Sequence, residues 1–230
     1  MLSLQTVYKQ QIKTQVCEIF IQMKKILFLI LALFAIHSIK GQTSFNSSLF
    51  NFQSGLSPKR EVRAVWLTTI GGLDWPHSYA QSPTSITKQK KELQIILDQL
   101  KAASINTVLF QARIRGTVVY PSDYEPWDGC LSGVPNKSPG YDALEFAIEE
   151  CHKRGMEIQA WIVTIPIGKW NQAGCKNLRN RYPALVKKIG EEGFMDMENP
   201  QTAQYLADIC EEITNKYDID GIHLDYIRYP

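Results

Sequence analysis

The 230-residue sequence predicts an α/β fold in which parallel strands form a sheet covered by helices. Strand and helix patterns alternate four times, and the strand segments read as near-continuous apolar runs, as strands buried on both faces do. Connections from a helix to the next strand are short, whereas those from a strand to the next helix are long. With 44% apolar residues the chain can fill one sizeable core, and its composition does not point to a disordered, collagen-like or disulfide-dense class.

The elements follow in order from Lys59, where the folded part is expected to begin after a Ser/Asn-rich linker over residues 42–58. Val62 to Thr69 is β-branched and aromatic, a strand; Leu93, Ile96, Leu97 and Leu100 then recur at the spacing of one helix face. Thr107 to Gln111 is a second strand. The next helix opens at Asp142 with Glu145 three residues on, carries Leu144, Ala147, Ile148 and Cys151 as its stripe, and closes on Gly155. Glu157 to Val163 is the third strand. The third helix takes Asn199 as cap and Pro200 at its first position, with Ala203, Leu206, Ala207, Cys210, Ile213 and Tyr217 as its expected buried stripe. Gly221 to Asp225 is the fourth strand. The long loops, near 70–86, 112–140 and 164–198, all leave the carboxyl ends of strands, the face where both barrels and open α/β sheets bind ligands. Gly71-Gly72 is the only glycine pair in the first strand-to-helix turn, without a dinucleotide or phosphate fingerprint, which disfavours nucleotide folds.

Residues 1–41 read as a leader. Lys24 and Lys25 precede an unbroken apolar run from Ile26 to Ile36, followed by Ser38, Lys40 and Gly41, the pattern of a Sec-type secretory signal. Eleven apolar residues fall short of the about 20 that cross a hydrocarbon core, so no lasting membrane span is expected. Met23 directly before the lysines is the expected true start. Cleavage near Gly41 or Gln42, giving an exported protein, is checked by sequencing the mature amino terminus.

Of 25 basic and 23 acidic side chains, five and one lie in residues 1–41, which leaves 20 and 22 and a net charge of about −2. With no basic stripe, the counterion release that drives nucleic-acid binding has no source, and nucleic acid is not an expected partner. Cys151 and Cys210 fall on helix stripes, as core residues do; Cys130 and Cys175 lie in loops, where an exported protein permits a disulfide that sequence alone cannot pair. Only His77, His152 and His223 lie beyond the leader, and no H-E-x-x-H or C-x-x-C spacing occurs, so neither metal nor cofactor is expected.

Side chains alternate along a strand, so Ile222 and Leu224 share one face of the last strand and His223 and Asp225 the other. If the sheet closes into a barrel, helices cover the aliphatic face and His223 and Asp225 point inward. Asp225 then sits at the wet carboxyl mouth, where a carboxylate is tolerated. On the second strand Leu109, Gln111 and Arg113 are expected on one face, bringing an amide and a guanidinium to the same mouth. On the third, Trp161 is a candidate aromatic floor. Trp75, Tyr79, Tyr120, Tyr124, Trp127, Trp170 and Tyr182 populate the long loops, and rings with a polar handle suit the mixed faces of a sugar.

The segments Lys59-Arg-Glu-Val-Arg-Ala-Val-Trp-Leu67, Asp74-Trp-Pro76, Phe110-Gln-Ala-Arg113, Tyr120-Pro-Ser122, Glu125-Pro-Trp127, Pro139-Gly-Tyr-Asp142, His152-Lys-Arg-Gly155, Ala160-Trp161, Asn199-Pro200 and Asp220-Gly-Ile-His-Leu-Asp225 occur in one order from residue 59 to 230. Together they resemble the glycoside hydrolase-like family 10 domain of secreted bacterial proteins. The resemblance implies a (β/α)8 TIM-barrel fold, of which residues 59–230 hold about the first four βα units, and a site at its carboxyl face acting on polysaccharide or cell-wall glycan. It implies that Asp225 matches the catalytic carboxylate of strand four. Gly221-x-His-x-Asp225 is similar to the α-amylase strand-four pattern, with His223 in place of an Arg, and Gln159 and Thr164 stand where the family often has His and Asn.

The resulting expectation is a metal-independent glycosidase with Asp225 as nucleophile or acid/base, and Gln111, Arg113, Trp161, His223, Trp75 and Trp127 contacting substrate. Glycoside hydrolysis usually takes two carboxyl groups. The partner of Asp225 is expected on a later strand, with the loop acids Asp74, Asp123 and Glu125 as alternatives. Four of eight units are present, so the sequence reads as the amino-terminal half of a barrel from a longer or truncated gene, inactive by itself. A non-catalytic glycan-binding barrel is the runner-up reading, and a metal-dependent deacetylase the third.

Overall fold

The computed structural model describes residues 61–228. The leader over 1–41 with Met23, and the linker over 42–58, lie outside the described residues. Strand β1 is Ala64–Leu67, helix α1 Pro83–Ala102, β2 Thr107–Arg113 and α2 the single turn Gly129–Ser132. Helix α3 is Ala143–Lys153, β3 Glu157–Val163, β4 Pro166–Lys169, α4 Ala173–Arg181, β5 Val186–Ile189 and β6 Glu192–Met195. Helix α5 is Pro200–Lys216 and β7 Gly221–Asp225.

Caps written in the sequence set the helix starts. Ser82 and Ser85 form a reciprocal capping box ahead of Pro83. The Asp142 carboxylate accepts from the amides of Leu144 and Glu145, and the Asn199 carbonyl from that of Gln201, with Pro200 at the first helical position. At the opposite end of the sheet, Asp220 accepts from the Ile158 amide at 2.8 Å and pairs with His152 Nε2 at 2.9 Å, which fixes the start of β7 against β3.

The main sheet is parallel throughout in the order β1-β2-β3-β7, so each strand-helix unit adds its strand beside the previous one. One face packs under the helices: Leu67, Val108, Phe110, Ile158, Ala160 and Ile162 join α1, α3 and α5 residues such as Leu93, Leu97, Leu144, Ile209 and Ile213 in one core. The other face holds a small separate cluster, Leu109, Trp161 and Val163. A sequential parallel order with helices on a single face is the arrangement of a (β/α)8 barrel rather than of a doubly wound sheet. Curvature agrees: in a flat sheet β1 and β7 would stand about 14 Å apart. Yet the Trp66 indole N–H donates to His223 Nε2 at 3.3 Å across the concave face.

Two features depart from the sequence reading. The 164–198 connection carries a three-stranded antiparallel sheet, β4-β6-β5, and helix α4. Helix α5 buries Thr202, Tyr205, Ile209, Glu212 and Ile213, while Ala203 and Ala207 are exposed. The polar members are inside because they are bonded: Tyr205 donates to Glu125, and Glu212 accepts from Tyr120, Ser122 and the Asp123 amide. Cys130, Cys151, Cys175 and Cys210 are all free thiols, the first three buried. Among the described residues no helix is long and apolar enough to cross a membrane.

Candidate active site

Asp225 ends β7 with its side chain on the concave face and half-buried. Its Oδ2 accepts the Trp161 indole N–H at 3.0 Å, and its Oδ1 the Tyr226 amide at 2.6 Å. Its backbone carbonyl is held by the Thr164 amide at 3.0 Å and the Thr164 hydroxyl at 2.6 Å. Tyr226 has φ +57°, a left-handed conformation that a bulky residue adopts only at a cost of about 1–2 kcal/mol, and one that recurs at functional sites. Tyr226, Ile227 and Arg228 follow Asp225 beyond the carboxyl end of the strand, all exposed. The Asp225 carboxylate is therefore oriented, partly wet and left with lone pairs to spare.

His223 lies one layer deeper, paired edge-to-face with Trp66 at 5.9 Å between ring centroids. Trp161, 9% exposed, is in register with both Gln111 and His223. Gln111 is 3% exposed, and its Oε1 accepts from the Thr68 hydroxyl and the Thr69 and Ile70 amides, at 2.6, 2.9 and 2.9 Å. It thus fixes the carboxyl end of β1 from inside the mouth.

Arg113 and Trp75 are corrections. A bulge at Ala112 puts Arg113 in register with the helix-facing Ile162 instead of beside Gln111, because one extra residue reverses the alternation. Arg113 is completely buried, with Nε and Nη2 forked onto Glu125 at 2.8 and 2.7 Å and Nη1 donating to the carbonyls of Val163 and Thr164. Burial pulls its pKa down, but the Glu125 carboxylate outweighs this and raises it, keeping the guanidinium charged. Trp75 turns into the core: it is fully buried, donates to the Gln89 carbonyl at 3.0 Å and leans on Phe110. Neither reaches the concave face. Tyr120 is likewise buried, its hydroxyl pushed up in pKa by burial and by Glu212. Trp127 is half-buried and lines a cleft between the loops after β1, β2 and β4.

The loop acids are also placed. Glu125 is locked in its ion pair, Asp123 pairs with Lys216 at 3.1 Å, and Asp74 accepts the Thr68 amide at 2.8 Å beside the end of β1. Among the described residues no group of three or more His, Cys, Asp or Glu side chains is gathered as metal ligands would be.

The fourth parallel strand thus ends in an inward carboxylate held by a tryptophan from the third, and the sequence pattern of the Glycosyl hydrolase-like 10 family matches residues 61–230. The chain belongs to that family. Members similar to it include glycosyl hydrolase YngK of Bacillus subtilis (strain 168), 33% identical over 183 residues, or 78% of this chain and 35% of that protein. Glycosyl hydrolase DigH of Escherichia coli (strain K12) is 31% identical over 184 residues, 73% of this chain and 42% of that protein. The chain thus spans less than half the length of these curated relatives. Among solved structures, the noncanonic maltogenic alpha-amylase AmyB of Thermotoga neapolitana aligns with 73% of this chain and 39% of its own, at 16% identity and TM-score 0.49.

In this Glycosyl hydrolase-like 10 chain two residues of the concave face escaped the sequence reading. Trp66 is 55% exposed there, and its alternation with the core residues Val65 and Leu67 was the available signal. Thr68 extends the same face to Gln111.

Proposed function

We propose that the protein is an exported glycoside hydrolase acting on a polysaccharide or cell-wall glycan, with Asp225 as one of two catalytic carboxyl groups. The observation that carries the reading is the setting of Asp225: concave face, carboxyl end of its strand and one donor on each oxygen. Such a carboxylate can attack an anomeric carbon or relay a proton. A second carboxyl about 5–5.5 Å away would make the reaction retaining, and one about 6.5–9.5 Å away inverting. Of the three candidate loop acids Asp74, Asp123 and Glu125, Asp74 is not in an ion pair, though it holds the Thr68 amide. Trp161 orients Asp225 through its indole N–H, and Thr164 fixes the backbone behind it.

The test is turnover of glycan panels by the whole protein and its Asp225→Asn variant, which keeps size but exchanges one accepting oxygen for a donating NH₂. The expected outcome is a loss of at least ~10²–10⁴-fold in kcat with glycan affinity retained. Unchanged turnover sinks the catalytic role, and binding without turnover in the wild type points to a non-catalytic glycan-binding barrel instead. Loss of activity on chelation would favour a metal-dependent deacetylase.

A further inference from the structure

A second concavity opens on the carboxyl face, between the turn after β1, the loop after β2 and the start of α4. It encloses about 470 Å³, within the range of small-ligand sites. None of its lining residues bonds to the side chain of Asp225, Trp161 or His223. Its walls are close-packed backbone. A Cβ on Gly174 would strike the carbonyls of Arg115 and Gly116, and one on Gly133, at φ +78°, would meet the Tyr79 ring at 2.9 Å. Asp128 fastens the walls together, accepting from the Cys130 amide at 2.8 Å and the Thr117 hydroxyl at 2.7 Å. The cleft is therefore pre-formed.

What lines it is unspent hydrogen-bonding capacity on an apolar floor. Among the described residues the Arg115 guanidinium has neither a salt bridge nor a hydrogen bond, the Trp127 indole N–H has no acceptor, and Gln172 uses its Oε1 on the Lys169 amide but not its NH₂. Tyr79, 57% exposed, stands at the rim, and Ile70 and Ile114 contribute aliphatic wall. Planar donors around a concave aromatic and aliphatic surface match a ring that is hydroxylated at its edge and C–H on its face. The charges of Arg115 and Asp128 oppose one another, so the cleft has no net preference for an ion.

We propose that this cleft is a glycosyl subsite separate from the reacting carboxylate, holding one uncharged, hydroxyl-bearing sugar ring against Trp127, with Arg115 and Gln172 donating to its hydroxyls. The inference rests on the glycan reading above and places a further unit of the chain beyond the bond to be cut. The test is calorimetric or NMR titration of the whole protein with cellotetraose, maltotetraose, tetra-N-acetylchitotetraose and, as an acidic control, trigalacturonate.

At least one neutral tetrasaccharide is expected to bind, and Trp127→Ala or Arg115→Ala to weaken it about tenfold or more. Trp127 also packs on the core, so Arg115→Ala, an exposed position, is the variant that keeps the result readable if the other misfolds. Absence of binding by all three neutral sugars, binding indifferent to both substitutions, or tighter binding of trigalacturonate overturns the proposal. Turnover that survives Asp225→Asn would refute the catalytic reading while leaving the subsite standing.

Discussion

Arg113 shows how one inserted residue changes what a side chain is for. The bulge at Ala112 moves it from the mouth into the helix layer, where it ties Glu125 to the carbonyls of Val163 and Thr164. Thr164 in turn holds the main chain of Asp225, so the buried ion pair lies two bonds' reach behind the candidate catalytic group. Arg113→Met strands the Glu125 carboxylate without its partner and is expected to lower unfolding free energy by roughly 3–5 kcal/mol; adding Glu125→Leu should restore part of that loss, both read from urea midpoints. The Arg113–Glu125 pairing was not legible in the sequence, because a period-two pattern contains no mark for a bulge whose extra residue is an alanine buried like its neighbours.

At the scale of the element, helices were readable where their ends and apolar stripes spoke, and misread where polar residues faced inward. In α5 the cap and first position are where Asn199-Pro200 put them, but the buried face runs through Tyr205 and Glu212, which are bonded to Glu125 and Tyr120, 80 and 92 residues away. Helix α3 holds a similar case with a measurable pH signature. Glu150 is nearly buried, and burial pushes its pKa up, but hydrogen bonds from Lys153 at 2.9 Å and Arg154 at 2.7 Å prevail and hold it at about 2. A carboxyl depressed in the folded state stabilises above its unfolded pKa and loses that stabilisation as pH falls. Stability should therefore drop between about pH 4.5 and 2, with Glu150 contributing roughly 1–3 kcal/mol that Glu150→Gln removes at pH 7 and not at pH 2. Denaturant titrations of both proteins across that range check it.

Across the whole molecule, the curled parallel sheet is most secure at its centre, where β2 and β3 each have two strand neighbours, while β1 and β7 each have one within the described residues. Hydrogen exchange should accordingly be slowest over Val108–Ala112 and Ile158–Ile162 and faster over Ala64–Leu67 and Gly221–Asp225; equal protection along all four would contradict the picture. The sequence by itself determined the alternation of strands and helices, the caps that start α3 and α5, the elaborated carboxyl face and the inward side of Asp225, because apolar periodicity and capping are local consequences of backbone geometry. Only the tertiary structure decided that Arg113 and Trp75 serve the core, that Trp66 reaches across to His223, that the 164–198 connection folds its own sheet, and that a second cleft stands apart from Asp225. Those outcomes depend on register, curvature and partners distant in the chain, which no local pattern encodes.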